Sequence, residues 1–458
     1  MILRSCRRGV RTTSTVTPST THGVLRGWQI GVKDNVCVAG TETQCASLVL
    51  KGFRPPFSAT VVEQLENNGA AIAASLGMDE FGMGSFGIHG AFGIEKNPLD
   101  PRRVCGGSSS GSAAAVARNH VRASIGTDTG GSVRLPASYC GVIGFKPTYG
   151  RLSRWGVISY ASSLDTVGIL ARNVNDCKAI FDVLNHRDPK DSTSLSFTPT
   201  SSASSLAPSP SHLSLKGITI GVPDHIPHLL PHETLMRLSS ALDHLELGGA
   251  SITSINLPNI DHALSAYYTI ACAEASSNLA RYDGIRYGAR GEGEDSLVRS
   301  VEDVRGSFGG VVQRRILLGS FVLGSSAYAS YFSQSQKIRR LLQQSYNSVF
   351  KLPHPLTPSD SYSRVDFILT PTSATPAPLR SVVEAGGLVD ECSDDVLTVP
   401  VSLAGLPAVS VPWWNEGVTR VGEFERTEEQ LPIGLQVVGQ FGDDARVLEM
   451  ARILESME

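Results

Sequence analysis

Ser124-Ile125-Gly126-Thr127-Asp128-Thr129-Gly130-Gly131-Ser132-Val133-Arg134 decides how this chain is read. An apolar run over Val121 to Ile125 predicts a strand, and 127–132 a loop in which two glycines precede a serine. Glycine lets the backbone turn tightly and bring successive N–H groups close to one bound atom. A serine at such a turn is placed like a nucleophile. Its neighbours Thr129, Gly130 and Gly131, with Ser132 itself, offer peptide N–H groups to a developing oxyanion. Asp128 and Arg134 flank the turn and can pair to fix its shape.

Two further runs give the turn a chemistry: Gly106-Gly107-Ser108-Ser109-Ser110-Gly111-Ser112 upstream, and Val32-Lys33-Asp34-Asn35 near the start. A serine hydroxyl is inert until its proton is removed. Lys33 can take that proton only when neutral. A free lysine titrates near 10.4, so work at pH 7–8 needs a lowering of roughly 2–3 pH units, about 3–4 kcal/mol, from burial and nearby cations. Ser108 suits a relay, because a hydroxyl both donates and accepts. Singly, a Gly-Gly-Ser turn is an ordinary loop and Lys33 an ordinary surface lysine. Together and in order they read as a Ser–Ser–Lys hydrolase. The run from Gly106 lacks the ending of a P-loop and the glycine order of a dinucleotide site. The 11 histidines form no triad and no metal set, so no metal site is expected.

Composition sets the frame. The chain has 458 residues, 41% hydrophobic and 18% charged, which fits a soluble globular protein with a substantial core. A net charge of −3 carries no global nucleic-acid signature. No apolar run is long enough to cross a bilayer, so no membrane partner is expected. The eight cysteines are scattered without a C-x-x-C pair, as thiols in a reducing compartment are. Met1 to Lys33 contains no acidic residue; Arg4, Arg7, Arg8 and Arg11 precede a Ser/Thr-rich stretch, Thr12 to Thr21. This composition predicts a mitochondrial presequence over residues 1–22 and a matrix location.

Beyond the leader, residues 23–458 read as one large domain. Trp28 to Val32 predicts a strand that delivers Lys33 to its end. Ser58 is expected to cap a helix running through Glu66. Strands are predicted at 70–74, 215–223, 366–369, 408–411 and 433–438, and helices at 112–118, 173–184, 233–247, 263–282, 311–350 and 445–456. This alternation argues for α/β with a largely buried sheet. Asp191 to Ser214 is rich in Ser, Thr and Pro and reads as a surface insertion.

These motifs resemble the amidase signature family, from about Trp28 to the C-terminus and most densely over Arg103 to Arg172. The resemblance implies the amidase-signature fold: a large mixed central β-sheet flanked by helices, with a mostly helical middle section. It makes Lys33 the base, Ser108 a bridging serine after a cis peptide, and Ser132 the nucleophile. Within the family, Met78 to Ser85, Lys146 to Arg151, Ser162 to Asp165, Arg281 to Gly288, Arg314 to Gly319, Pro400 to Pro407 and Pro432 to Gln436 resemble the glutamine-hydrolysing subunits of organellar tRNA-dependent amidotransferases. That implies free glutamine as ammonia donor, bound by Tyr267, Arg315 and Asp395. Tyr268 competes with Tyr267, and Asp394 with Asp395. It implies a B subunit that uses ATP and Mg²⁺ to convert Glu-tRNA(Gln) to Gln-tRNA(Gln), a small third subunit, and no cofactor in this chain. A stand-alone amidase and an inactive scaffold are the alternatives. Three features depart from the pattern: Ser75-Leu76-Gly77 before Met78, Ser110 in place of a common glycine, and a short segment before Lys33.

Overall fold

The computed structural model describes residues 10–12, 22–195, 215–289, 297–357, 364–387, 394–415, 418 and 426–458, with the backbone alone at 10–12 and 297–300. An 11-stranded sheet runs through it. The strands are β1 (Val10–Thr12), β2 (Gln29–Lys33), β3 (Ala71–Leu76), β4 (Ala123–Asp128), β5 (Ile143–Lys146), β6 (Thr166–Ala171), β7 (Thr219–Pro223), β8 (Ser251–Ile255), β9 (Phe367–Pro371), β10 (Ala408–Trp413) and β11 (Ile433–Val438). Their order across the sheet is β1-β3-β2-β4-β6-β5-β10-β11-β9-β7-β8. β2 pairs in parallel with β3 and β4, and β7 with β8 and β9. The pairings from β4 across to β9 are antiparallel.

Every residue of β4, β6, β10 and β11 is buried, as happens when helices cover both faces of a sheet. On one face Ile30, Ile125, Ile169, Val409 and Val437 share a core with the helices Thr60–Asn67, Val174–Leu184 and Asp444–Met457. On the other, Leu170 packs with the Ala-rich helix Ser110–Ala117 and with Ala137 of the helix Arg134–Cys140. A separate core joins the helices Ala263–Leu279 and Gly310–Leu323 to Phe81, Tyr160 and Leu164. This is the helical middle section, and it lies against the loops that carry the serines.

The structure differs from the sequence reading in several places. The helix predicted over 311–350 is two, Gly310–Leu323 and Phe332–Val349. The apolar period continues across the break, but Gly324 turns extended at ψ 147°. Ser58 caps nothing: Ala59 is the N-cap, and the Ser58 hydroxyl accepts the Ala39 N–H at 3.0 Å instead. β4 extends through Thr127 and Asp128, which the sequence places at the loop. β5, β6 and β8 have no counterpart among the predicted strands. Within residues 1–22, β1 pairs antiparallel with β3, Val10 opposite Leu76; residues 1–9 and 13–21 lie outside the described residues. Of 191–214, Asp191 to Leu195 fold back, with the Leu195 N–H on the Gly150 carbonyl at 2.9 Å; 196–214 lie outside the described residues. The departures from the family pattern are accommodated locally. Ser75 donates to Asp34 at 3.0 Å, the Gly77 carbonyl accepts the Gly111 N–H at 3.0 Å, and Ser110 opens its helix without a positive φ.

Candidate active site

Lys33 ends β2, between β3 and β4, and is 0% exposed. Its Nζ donates to Ser108 Oγ at 2.8 Å, Thr127 Oγ1 at 3.0 Å and the Thr127 carbonyl at 3.2 Å. Burial pulls this lysine from 10.5 down to about 7, against the Asp79, Asp128 and Asp165 carboxylates, which favour its charged form. The lowering that a lysine base requires is therefore present. The Gly107–Ser108 peptide is cis. The N–H of Ser109 donates to the carbonyl of Ser132 at 3.1 Å, which places the two serine motifs side by side. Ser132 is 9% exposed, more than Lys33 or Ser108. Its hydroxyl makes no hydrogen bond to any described residue.

The turn before Ser132 is held from all sides. Thr129 donates its hydroxyl to Asp165 at 2.7 Å. Thr398 donates its hydroxyl to the Gly130 carbonyl. Since C=O and N–H of a trans peptide point opposite ways, the Gly131 N–H faces away from Thr398. The N–H groups of Gly130, Gly131 and Ser132 meet no acceptor among the described residues, so three successive donors stand free. Side chains are excluded here: a Cβ on Gly130 would lie 2.5 Å from the Tyr267 ring and hydroxyl. One on Gly131, at φ +150°, would lie 2.4 Å from Thr398 Oγ1.

Asp128 and Arg134 form a fully buried pair behind the turn. Asp128 accepts Arg134 Nη2 at 2.9 Å and Nε at 3.0 Å, and the N–H groups of Val133 and Arg134 at 3.1 and 3.3 Å. Burial opposes ionisation of Asp128, but the guanidinium outweighs it and holds the carboxyl below its ordinary range. Arg134 also reaches the Thr398 carbonyl at 3.1 Å, Ser402 Oγ at 2.7 Å and Gln436.

Beside the turn lies a second cluster. Tyr267, Arg315 and Asp395 are all buried. Tyr267 backs Gly130, whereas Tyr268 reaches Asp395 Oδ2 with its hydroxyl at 2.7 Å and lies 5.2 Å from the Arg315 guanidinium, measured to the ring centre. Both tyrosines thus border the site. Asp394 instead accepts from Tyr139 at 3.2 Å. Burial raises Asp395 to about 7, in spite of hydrogen bonds from Tyr268 and Ser85. Arg315 Nη1 donates to the Tyr160 hydroxyl at 2.7 Å, while Nε and Nη2 donate to no described residue. Asp395 Oδ1 likewise accepts from none, because Tyr268 and Ser85 both use Oδ2. A half-free guanidinium fork and a half-free carboxylate suit the two charged α-substituents of an amino acid. Sequence reasoning gives no role at the site to Ser85 or Tyr160, and sets Tyr268 only as a rival to Tyr267. Ser85 closes a quoted motif, but its partner is 310 residues away. Among the described residues no grouping of His, Cys, Asp and Glu would hold a metal ion, and no helix is long and apolar enough to cross a membrane.

Residues 7–448 match the family described as amidase. The chain belongs to the amidase family. This amidase is 44% identical over 458 residues to the A subunit of mitochondrial glutamyl-tRNA(Gln) amidotransferase from Coccidioides posadasii, covering 94% of this chain and 89% of that protein. It is 43% identical over 434 residues to the A subunit of glutamyl-tRNA(Gln) amidotransferase from Symbiobacterium thermophilum, covering 94% and 82%. Among solved structures, the crystal structure of the glutamyl-tRNA(Gln) amidotransferase A subunit from Thermotoga maritima superposes with a TM-score of 0.76 at 35% identity, covering 97% of this chain and 86% of that one. The mixed sheet flanked by helices is thus the fold of this amidase family.

Proposed function

We propose that this amidase is the glutamine-hydrolysing subunit of a tRNA-dependent amidotransferase in the mitochondrial matrix, acting through Ser132, Ser108 and Lys33. The observation that carries the proposal is the pairing of two half-free charges, Arg315 and Asp395, beside a serine turn served by a buried lysine. The fork of Arg315 receives the α-carboxylate of glutamine, and Asp395 Oδ1 its α-ammonium. Ser132 Oγ attacks the side-chain amide carbon, and its proton passes through Ser108 to Lys33. The oxyanion rests on the free N–H groups of the turn, each donor worth about 10²–10³-fold in rate. Lys33 returns the proton through Ser108 to the departing nitrogen, and ammonia leaves. Water then hydrolyses the γ-glutamyl ester, giving glutamate and free Ser132.

The relatives' names support an assembled enzyme, in which a B subunit would use ATP and Mg²⁺ to activate Glu-tRNA(Gln) and accept the ammonia; a small third subunit completes the proposed complex. The leader composition and the mitochondrial relatives support the compartment. The deciding experiment measures ammonia and glutamate released from glutamine, by the chain alone and with its B subunit, Glu-tRNA(Gln) and ATP. Release that appears or rises in the complex supports the proposal. Serine-dependent hydrolysis of other amides, with none of glutamine, makes this a stand-alone amidase; no hydrolysis at all makes it a scaffold.

Two results are expected of the active complex. Arg315→Ala raises KM for glutamine on the order of 10²-fold, from loss of a buried charged contact, with kcat changed far less; an unchanged KM removes Arg315 from the pocket. In a pH series, kcat rises through about 7 as Lys33 loses its proton, because only the neutral amine accepts one. KM falls over the same range as Asp395 ionises and gains its attraction for the ammonium. A flat kcat between pH 6 and 9 speaks against Lys33 as base.

A further inference from the structure

The run Met78-Asp79-Glu80-Phe81-Gly82-Met83-Gly84-Ser85 takes no step in the chemistry above, yet it touches Ser108, the start of the helix that carries Arg315, and Asp395. At one end, the Asp79 N–H donates to the Ser108 carbonyl at 3.2 Å, which fastens the run to the relay serine. Next to it the buried Glu80 accepts the Ser47 hydroxyl at 2.5 Å with Oε1 and the Gly309 N–H at 2.7 Å with Oε2. Gly309 is the N-cap of the helix Gly310–Leu323 and has no side chain to cap it. A carboxylate there satisfies a terminal N–H and meets the positive end of the helix. Arg315 lies on the inner face of that helix with Val311, Val312 and Gly319. At the other end of the run, Ser85 donates to Asp395 Oδ2 at 2.9 Å, on the same oxygen that Tyr268 uses. Two donors on Oδ2 turn Oδ1 outward as the free acceptor.

We propose that Glu80 and Ser85 are positioning residues that hold the two recognition charges in register with the serines: Glu80 through the helix that carries Arg315, Ser85 through Asp395. This rests on the glutaminase reading and adds the source of its selectivity for an amino-acid amide. Each arm governs one α-substituent, so the two can be separated by substrate.

The test uses the full-length chain in complex with its B subunit. It compares kcat/KM for three amides: L-glutamine, glutaramate, which lacks the α-amino group, and 4-aminobutanamide, which lacks the α-carboxylate. Ser85→Ala is expected to lower glutamine and 4-aminobutanamide hydrolysis about 10-fold or more, as loss of a hydrogen bond to a charged group does, and to leave glutaramate within about 3-fold. Ser85→Thr, which keeps the hydroxyl, restores most of the loss. Glu80→Ala is expected to lower glutamine and glutaramate about 10-fold and to spare 4-aminobutanamide; Glu80→Gln, which keeps shape and acceptor, falls between. A merely structural role lowers all three amides equally, and that outcome in either variant overturns its positioning role. If the unaltered complex turns over no glutamine, the glutaminase reading itself is wrong; if it does and the variants are unselective, only the positioning roles fall.

Discussion

Ser132→Ala is expected to take glutamine hydrolysis to background, a loss on the order of 10⁴-fold or more in kcat, and to leave the denaturation midpoint where it was. Both halves follow from the turn. The Ser132 hydroxyl makes no hydrogen bond to a described residue, so its removal strands no partner. The backbone that shapes the turn is held by other groups: Thr398 on the Gly130 carbonyl, Asp128 on the N–H groups of Val133 and Arg134, Ser109 on the Ser132 carbonyl. Alanine keeps φ and ψ freely there and removes about one buried hydroxyl's worth of interaction, within about 1 kcal/mol. Glutamine binding should survive, since Arg315 and Asp395 are untouched, so the variant is also suited to measuring the affinity directly. The neighbouring Ser109 is no substitute nucleophile, because its hydroxyl is turned to the Thr127 carbonyl at 3.3 Å. Turnover above a few per cent in the Ser132→Ala protein would place the attacking group elsewhere.

Arg134→Met is expected to be the most damaging single change to stability. It removes a guanidinium that is 0% exposed and leaves Asp128, equally buried, without its counter-charge. Breaking such a pair from one side costs about 3–5 kcal/mol. Here the loss is compounded, since Arg134 also joins β4 to the Thr398 carbonyl, Ser402 and Gln436 of β11. The check is a chemical denaturation series on wild type, Arg134→Met and Arg134→Met with Asp128→Asn. The double variant should regain part of the loss, because the unpaired charge is gone. The pH dependence has a definite sign. Asp128 is held below its unfolded value, so the pair contributes fully above about pH 4 and is lost only as the pH falls through the lowered folded value. Wild type should therefore keep the pair's contribution from pH 8 to 5, while the gap to Arg134→Met narrows as the pH falls, because burial favours the neutral form of the unpaired Asp128. Equal midpoints for the two proteins would show that the pair contributes little.

The proposed catalytic groups are readable from sequence because their signals are local. Gly130-Gly131-Ser132 and Gly107-Ser108 write backbone geometry directly into residue type, and Lys33 ends a strand whose apolar residues precede it. The proposed recognition groups are readable only through resemblance: nothing within a few residues of Arg315 or Asp395 marks them. Ser85 and Tyr160 escape for the same reason, since each acts on a partner 310 or 155 residues away; Tyr268 enters only as an alternative to Tyr267, its own partner lying 127 residues away. Ser58 misleads because Ala39, far back in the chain, claims its hydroxyl. β5 and β6 escape because both are buried on both faces and interrupted by a glycine, Gly144 and Gly168, so they show no alternation. The break after Leu323 is invisible to a period count, as the Phe332–Val349 helix resumes with a similar apolar spacing.

The reach of the Arg134 and Ser85 contacts has a consequence for biosynthesis. A ribosome has delivered Lys33, Ser108 and Ser132 when little more than a quarter of the chain is made, yet Thr398 and Gln436, which hold Arg134, lie 264 and 302 residues beyond it, and Asp395 lies 310 residues beyond Ser85. Contacts so distant in sequence close slowly and late. A nascent or prematurely terminated chain thus carries the proposed nucleophile, Ser132, without the later contacts that hold its turn. On the glutaminase reading proposed above, ammonia release would wait until synthesis is nearly complete, and the unfinished polypeptide would stay chemically silent.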